Sequence, residues 1–153
     1  MKKLAIVALL VLAGCRRQVQ VTSVPTANPG LGTTGAATPR ESVQLFLATA
    51  KAQDLQAMSN IWGSTAGPAR TSGVMSAADL EQREIIMMKC LRHDSYAILS
   101  ETPAKGGERL FVVELRKGTL TARSNFIATL GPENRWYLRE FQPETLNSIC
   151  ASK

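Results

Sequence analysis

His93, Asp94 and Tyr96 form the one cluster in this sequence whose types and spacing suggest acid–base work. An imidazole titrates near neutrality, and a neighbouring carboxylate can raise its pKa or hold its tautomer. The same residues also read without chemistry, as a histidine ending a helix beside a turn-forming aspartate. The chain has a single histidine, so no second imidazole can complete a relay or share a metal. Glu84, Glu101, Glu114 and Glu140 are further acids. If Glu114 and Glu140 lie on neighbouring strands, they could act as a glycosidic acid and base. Arg116, Arg123 and Arg139 are just as near, so cross-strand ion pairs on a solvated face are the simpler expectation. The glycine-rich stretch at 63–75, GSTAGPARTSGVM, lacks the Lys-Ser or Lys-Thr of a phosphate-binding loop, and no Gly-x-Ser-x-Gly occurs. It is long enough to shape a mouth or meet a partner, with Arg70 to receive an anionic group, or to be a plain connection. Trp62, Ile85, Ile86, Met87 and Met88 could line a ligand pocket, although apolar residues at helical spacing usually form core. Nothing in the sequence calls for a cofactor or a metal, and catalysis is the weaker reading.

A different chemistry belongs to Cys15. Ahead of it stand Lys2 and Lys3, then an apolar run from Leu4 to Ala13. That run is about ten residues, half of the roughly 20 that span a bilayer, and fits the h-region of a secretory signal. Leu12-Ala13-Gly14-Cys15 resembles the lipobox of bacterial lipoproteins. The resemblance implies removal of residues 1–14 and a diacylglycerol on the sulfur of Cys15. It further implies residence in the cell envelope, with Arg16 rather than Asp pointing to the periplasmic face of the outer membrane where the source has one. Two or more acyl chains, at about 0.8 kcal/mol per buried methylene, hold a protein stably where one does not. With Cys15 assigned to lipid, Cys90 and Cys150 remain as an even pair in an oxidising compartment, and one disulfide is expected. Two buried free thiols, or a metal site, are the competing readings.

Charge follows the same division. The formal charge is +6; without Lys2 and Lys3 it is +4, and without Arg16 and Arg17 as well it is +2. The basic character therefore sits mostly near the anchor, where each arginine gains about 1 kcal/mol from anionic headgroups. The nearly balanced remainder excludes the basic stripe of a nucleic-acid binder.

Residues 15–38 are rich in Thr, Pro, Gly and Ala, without apolar period, and read as a lipidated cysteine and disordered tether. The domain is expected over 39–153. Thr38-Pro39-Arg40-Glu41 reads as a capping box, and Val43, Phe46, Leu47 and Ala50 form one helical stripe to about residue 52. A second short helix follows over 53–62, capped by Asp54. Ser76 opens a third helix over 77–92, with Leu80, Ile86 or Met87, and Leu91 inward. From residue 95 the period becomes that of strands: 96–101, 110–116, 119–130 and 135–141, joined by turns at Gly106-Gly107, Lys117-Gly118 and Gly131-Pro132. Residues 142–150 are a tail with a helical turn after Pro143. Helices followed by an antiparallel meander of about four strands specify an α+β fold.

The opening ESVQLFLATAKAQD with LQAMSNIWG, and the closing NRWYLREF, resemble the NTF2-like (cystatin-like) superfamily over roughly 39–142. The resemblance implies N-terminal helices packed on a curled sheet, the cone, and in its enzymes Asp, His and Tyr inside it. The reading that results is a membrane-anchored, non-catalytic binding or assembly module. Its partner is an envelope protein or ligand, or a second copy in a homodimer. The alternative is a small enzyme or small-molecule-binding protein using a pocket in the cone.

Overall fold

The computed structural model describes residues 34–152. The fold is α+β: four α-helices with a four-stranded antiparallel sheet that does not close on itself. Helix α1 spans Pro39–Ala52. Thr38 Oγ1 accepts from Glu41 N at 3.1 Å, and Pro39 occupies a position whose N–H would have no partner. The Glu41 carboxylate accepts from Ala37 N at 2.9 Å, one residue before the reach of the expected box. Helix α2 is Leu55–Ile61, capped by Asp54 through Ala57 N. The glycine-rich segment is not wholly loop. Gly63–Ser64 (β1) and Gly67–Pro68 (β2) form a two-residue antiparallel ladder. Helix α3, Ala77–Cys90, starts on Ser76 and ends two residues before the expected Arg92.

Strands β3 (Ser95–Pro103), β4 (Arg109–Lys117), β5 (Leu120–Leu130) and β6 (Trp136–Phe141) pair in sequence order as a meander. One face of β4 and β5 carries Phe111, Val113 and Leu115 opposite Phe126, Ser124 and Ala122. This face meets Val43, Phe46, Leu47 and Ala50 of α1 in a single core with Met58, Ile61, Leu91 and Leu138. Burying each large side chain contributes about 1.5–3 kcal/mol. Phe141 stacks on Phe126 at 5.6 Å and tilts against Phe46 at 6.2 Å. The C-terminal segment belongs to this core: Leu146 and Ile149 are wholly buried around helix α4, Asn147–Cys150. Cys90 and Cys150, 60 residues apart, lie at disulfide distance and join α3 to α4.

Two extra residues interrupt the ladder. Leu99 bulges from β3, and Arg139 bulges from β6 between Leu138 and Glu140.

The expected tether boundary at residue 38 needs correction. Ala36 is fully buried and exchanges two backbone hydrogen bonds with Trp136, at 2.7 and 2.8 Å. Arg135 donates to the carbonyls of Thr34 and Gly35, and Thr34 meets the Tyr137 hydroxyl at 3.2 Å. Gly35 has φ +65°, and a Cβ there would lie 2.8 Å from the Tyr137 ring, so only glycine fits. The chain is therefore fixed to β6 from Thr34 onward. Cys15, the signal segment and the rest of the tether expectation lie outside the described residues.

Candidate functional site

Of the expected acid–base cluster, His93 and Tyr96 meet, while the Asp94 carboxylate is bonded elsewhere. His93 is 7% exposed, and its Nδ1–H donates to Leu91 O at 2.7 Å, since a carbonyl can only accept. Burial, the largest cause, holds its pKa below the usual imidazole value, opposed by that hydrogen bond; Lys51 lowers it further and Asp94 opposes. The Asp94 carboxylate turns instead to the β4–β5 hairpin, where it accepts from Gly118 N at 2.7 Å. The Asp94 backbone N–H reaches Arg116 O and its carbonyl accepts from Lys51 Nζ. The Tyr96 and His93 rings meet nearly perpendicular, centroids 5.6 Å apart, and burial raises the Tyr96 pKa. The three residues thus join α1, the end of α3 and the hairpin, and none of them lines a described depression.

The paired-carboxylate idea also needs correction. Glu114 and Glu140 are not on neighbouring strands, because β5 lies between β4 and β6. Glu114 accepts from Arg116 and Arg123 at 2.7–3.0 Å, and those hydrogen bonds hold its pKa below the usual carboxylate value. Glu140 pairs with Arg139 at 2.9 Å, and Glu101 with Arg109 and Arg40. Ion pairing accounts for these acids, across strands for Glu101–Arg109 and Glu114–Arg123, within a strand for Glu114–Arg116 and Glu140–Arg139, and from α1 for Glu101–Arg40.

Arg70 does not project freely. Its Nε donates to Ser59 Oγ at 2.8 Å and ties the 63–75 segment to α2. Close to it is a residue that the sequence reading gave no role, Glu84. It is 1% exposed on the buried stripe of α3, with Leu80 and Met88. Its Oε1 has no hydrogen-bond partner. Burial pushes its pKa from 4.5 up to about 7, against the attraction of Arg70 and helped by repulsion from Glu81. Ile85 and Ile86, 54% and 56% exposed, point outward instead. The expected inward stripe of Leu80, Ile86 or Met87, and Leu91 needs correction: Leu80 and Leu91 are buried, but Glu84 and Met88 fill the positions between them and Ile86 faces outward. The acid within it gave no sign that it would be buried in place of an isoleucine.

The surface depressions gather around Trp62 and Arg139. One, of about 320 Å³, runs between α3 and the end of β6 and is lined by Trp62, Arg83, Ile86, Met87, Arg139 and Phe141, among others. A smaller one, about 150 Å³, lies across Trp62 and Arg139, against Val74 and Met75. The bulge at Arg139 makes this corner. It presents the Arg139 carbonyl to Trp62 Nε1 at 3.3 Å and sends the guanidinium to Glu108 and Glu140. Sequence reasoning named Trp62, Ile86 and Met87 as possible lining, but a bulge in β6 has no signal in residue types.

The larger depression offers apolar contact and charge, with Glu140 and Arg139 on its wall paired to each other and Arg83 beside them. Among the described residues no group of three His, Cys, Asp or Glu could hold a metal ion. Comparison with protein-family models, with curated proteins and with solved structures finds no match for this chain.

Proposed function

We propose that this chain is a lipid-anchored cell-envelope protein whose folded domain is a non-catalytic binding or assembly module. The observation that carries the second half is the filling of the sheet's inner face. Phe46, Phe111, Phe126, Phe141, Met58 and Leu138 occupy the volume in which a cone enzyme would need water and converging polar groups. What is left for recognition is the shallow corner around Trp62 and Arg139. The opening helix pair and the closing antiparallel meander support kinship with NTF2-like domains in a closed-packed form, with a short hairpin and α3 between them. The anchor itself is supported by the sequence alone, through Lys2, Lys3, the apolar run and Leu12-Ala13-Gly14-Cys15. The paired Cys90 and Cys150 agree with an oxidising compartment.

Two measurements test this. Replacing Cys15→Ser is expected to abolish palmitate incorporation and processing; incorporation that survives the change refutes the anchor. Separately, Trp62→Ala is expected to lose envelope partners captured by the intact protein while leaving its melting transition cooperative. Unchanged capture would remove the corner from the proposal.

A further inference from the structure

Among the described residues, Glu84 is the carboxyl that is buried with an oxygen lacking any hydrogen-bond partner. The cation that acts on it, Arg70, is held by a different acceptor. Arg70 Nε donates to the buried Ser59 Oγ at 2.8 Å, and its terminal nitrogens have no partner among the described residues. That hydrogen bond matters because of where Arg70 stands. It lies in the turn 68–72, whose Ala69 and Ser72 wall the smaller depression beside Trp62. The turn is also fastened by Ala69 N, which donates to Trp62 O at 2.8 Å. Thr71 N and Ser72 N only return to Pro68 O, within the turn itself. Just beyond, Gly73 has φ +69° and open space around it, so the chain can swing there without a clash.

Few other charges reach Glu84. Helices α1, α2 and α4 and the turn Pro143–Leu146 pack against α3. Helices α2 and α4 carry no charged residue. In α1, Arg40 is held by Glu101, Glu41 by Ala37 N, and Lys51 by Asp94 O. Glu144 of the turn is exposed. On α3 itself Asp79 is bonded to Ser76, Arg83 and Lys89 are exposed, and Glu81 repels a charge on Glu84. Arg70 is therefore the cation placed to answer that charge.

We propose that Glu84 and Arg70 form a latch with two positions that regulates the corner around Trp62. With the Glu84 carboxyl neutral, Arg70 stays on Ser59 and the turn holds the wall of the depression in place. With the carboxylate ionised, Arg70 leaves Ser59 for Glu84 and the turn lifts from Trp62. A hydrogen bond to a hydroxyl is thereby exchanged for a pair with a carboxylate, which a guanidinium fork fits and which is stronger away from water. A buried carboxylate left unpaired is costly, so ionisation itself drives the exchange. The changeover falls near neutrality, since burial puts the Glu84 pKa at about 7. The consequence for partner binding rests on the corner proposed above; the latch itself does not.

The test follows the full chain by NMR with no partner present. The Glu84 Cδ shift reads ionisation, the Arg70 Nε–H resonance reads its hydrogen bond, and exchange of the Ala69 amide reads the hold on the turn. Between about pH 5.5 and about pH 8.5, a carboxyl with a pKa of about 7 goes from about 3% to about 97% ionised. Over that range the Arg70 signal should move with the midpoint of Glu84 Cδ. Protection of the Ala69 amide should fall about fivefold as the turn loses one fastening. Glu84→Gln should keep the low-pH Arg70 signal throughout. Ser59→Ala should leave Ala69 weakly protected at both ends of the range while Glu84 still titrates. A Glu84 that titrates while Arg70 and Ala69 stay unchanged overturns the proposal, as does a Glu84 with no midpoint in this range. A pH response that survives in Glu84→Gln also overturns it, and would belong to His93. Failure of the corner appears separately, as partner capture that Trp62→Ala leaves unchanged; the Arg70 and Ala69 signals still decide the latch.

Discussion

Glu114 and Glu84 are both almost buried, and they were solved differently. Glu114 sits in the sheet directly opposite Arg123 and two residues from Arg116, and both guanidinium groups bond it. Glu84 sits in the helical layer with one oxygen unpartnered and Arg70 committed to Ser59. Strand register delivers partners at fixed spacing, so a carboxylate there is completed by its neighbours. Helices α2 and α3 meet with no such ladder, and a polar group between them depends on whatever the packing leaves. The sheet is the finished half of the molecule, and the layer around α3 is the adjustable half.

The largest effect expected from breaking this contrast comes from the bond that closes the adjustable half. The pair Cys90→Ser, Cys150→Ser should lose about 4 kcal/mol of stability in urea, the cost of freeing a loop of 60 residues. Hydrogen exchange should rise first in α3 and α4 while β4 and β5 stay protected. Uniform loss of protection would erase the distinction between the halves.

Next is Glu84. Its folded pKa is about 7 against 4.5 for the free group. Between those values the native state holds a proton that the unfolded chain has released, so stability falls as pH rises from 4.5 toward 7. Allowing for solvent screening, Glu84→Gln should be about 1–2 kcal/mol more stable than the parent at pH 8 and little different at pH 4.5. Urea midpoints across that range check this; parallel curves would mean that Glu84 ionises freely.

Asp94→Ala removes the acceptor for Gly118 N and should cost about 1 kcal/mol at pH 7. The smallest change belongs to Glu114→Gln. Its depressed pKa stabilises the fold above 4.5, and that contribution is lost as pH falls through the folded value. Arg116 and Arg123 are 60% and 66% exposed, so the expected result is only a flattened acid limb of the stability curve, opposite in sign to the Glu84 variant.

The same contrast explains what could be read from residues alone. The caps at Thr38, Asp54 and Ser76 are local, and each holds the helix it announces. The meander was legible because each hairpin turn is local and strand period is two. Burial of Glu84, the fixing of Ala36 to Trp136 and the bulge at Arg139 depend on partners far along the chain, and none leaves a periodic trace. His93 and Asp94 failed as a pair for a similar reason. Adjacent side chains there leave the helix end in different directions, and the hairpin at Gly118 claims the carboxylate.

The clasp between Thr34–Ala36 and the start of β6 also has a mechanical meaning. A pull on the chain ahead of Thr34 acts first on two backbone hydrogen bonds to Trp136 and on the Arg135 guanidinium. Helix α1 lies behind that clasp and is spared the tension until it opens. A domain held at its N-terminal end can thus be tugged at its corner without its first helix being unwound.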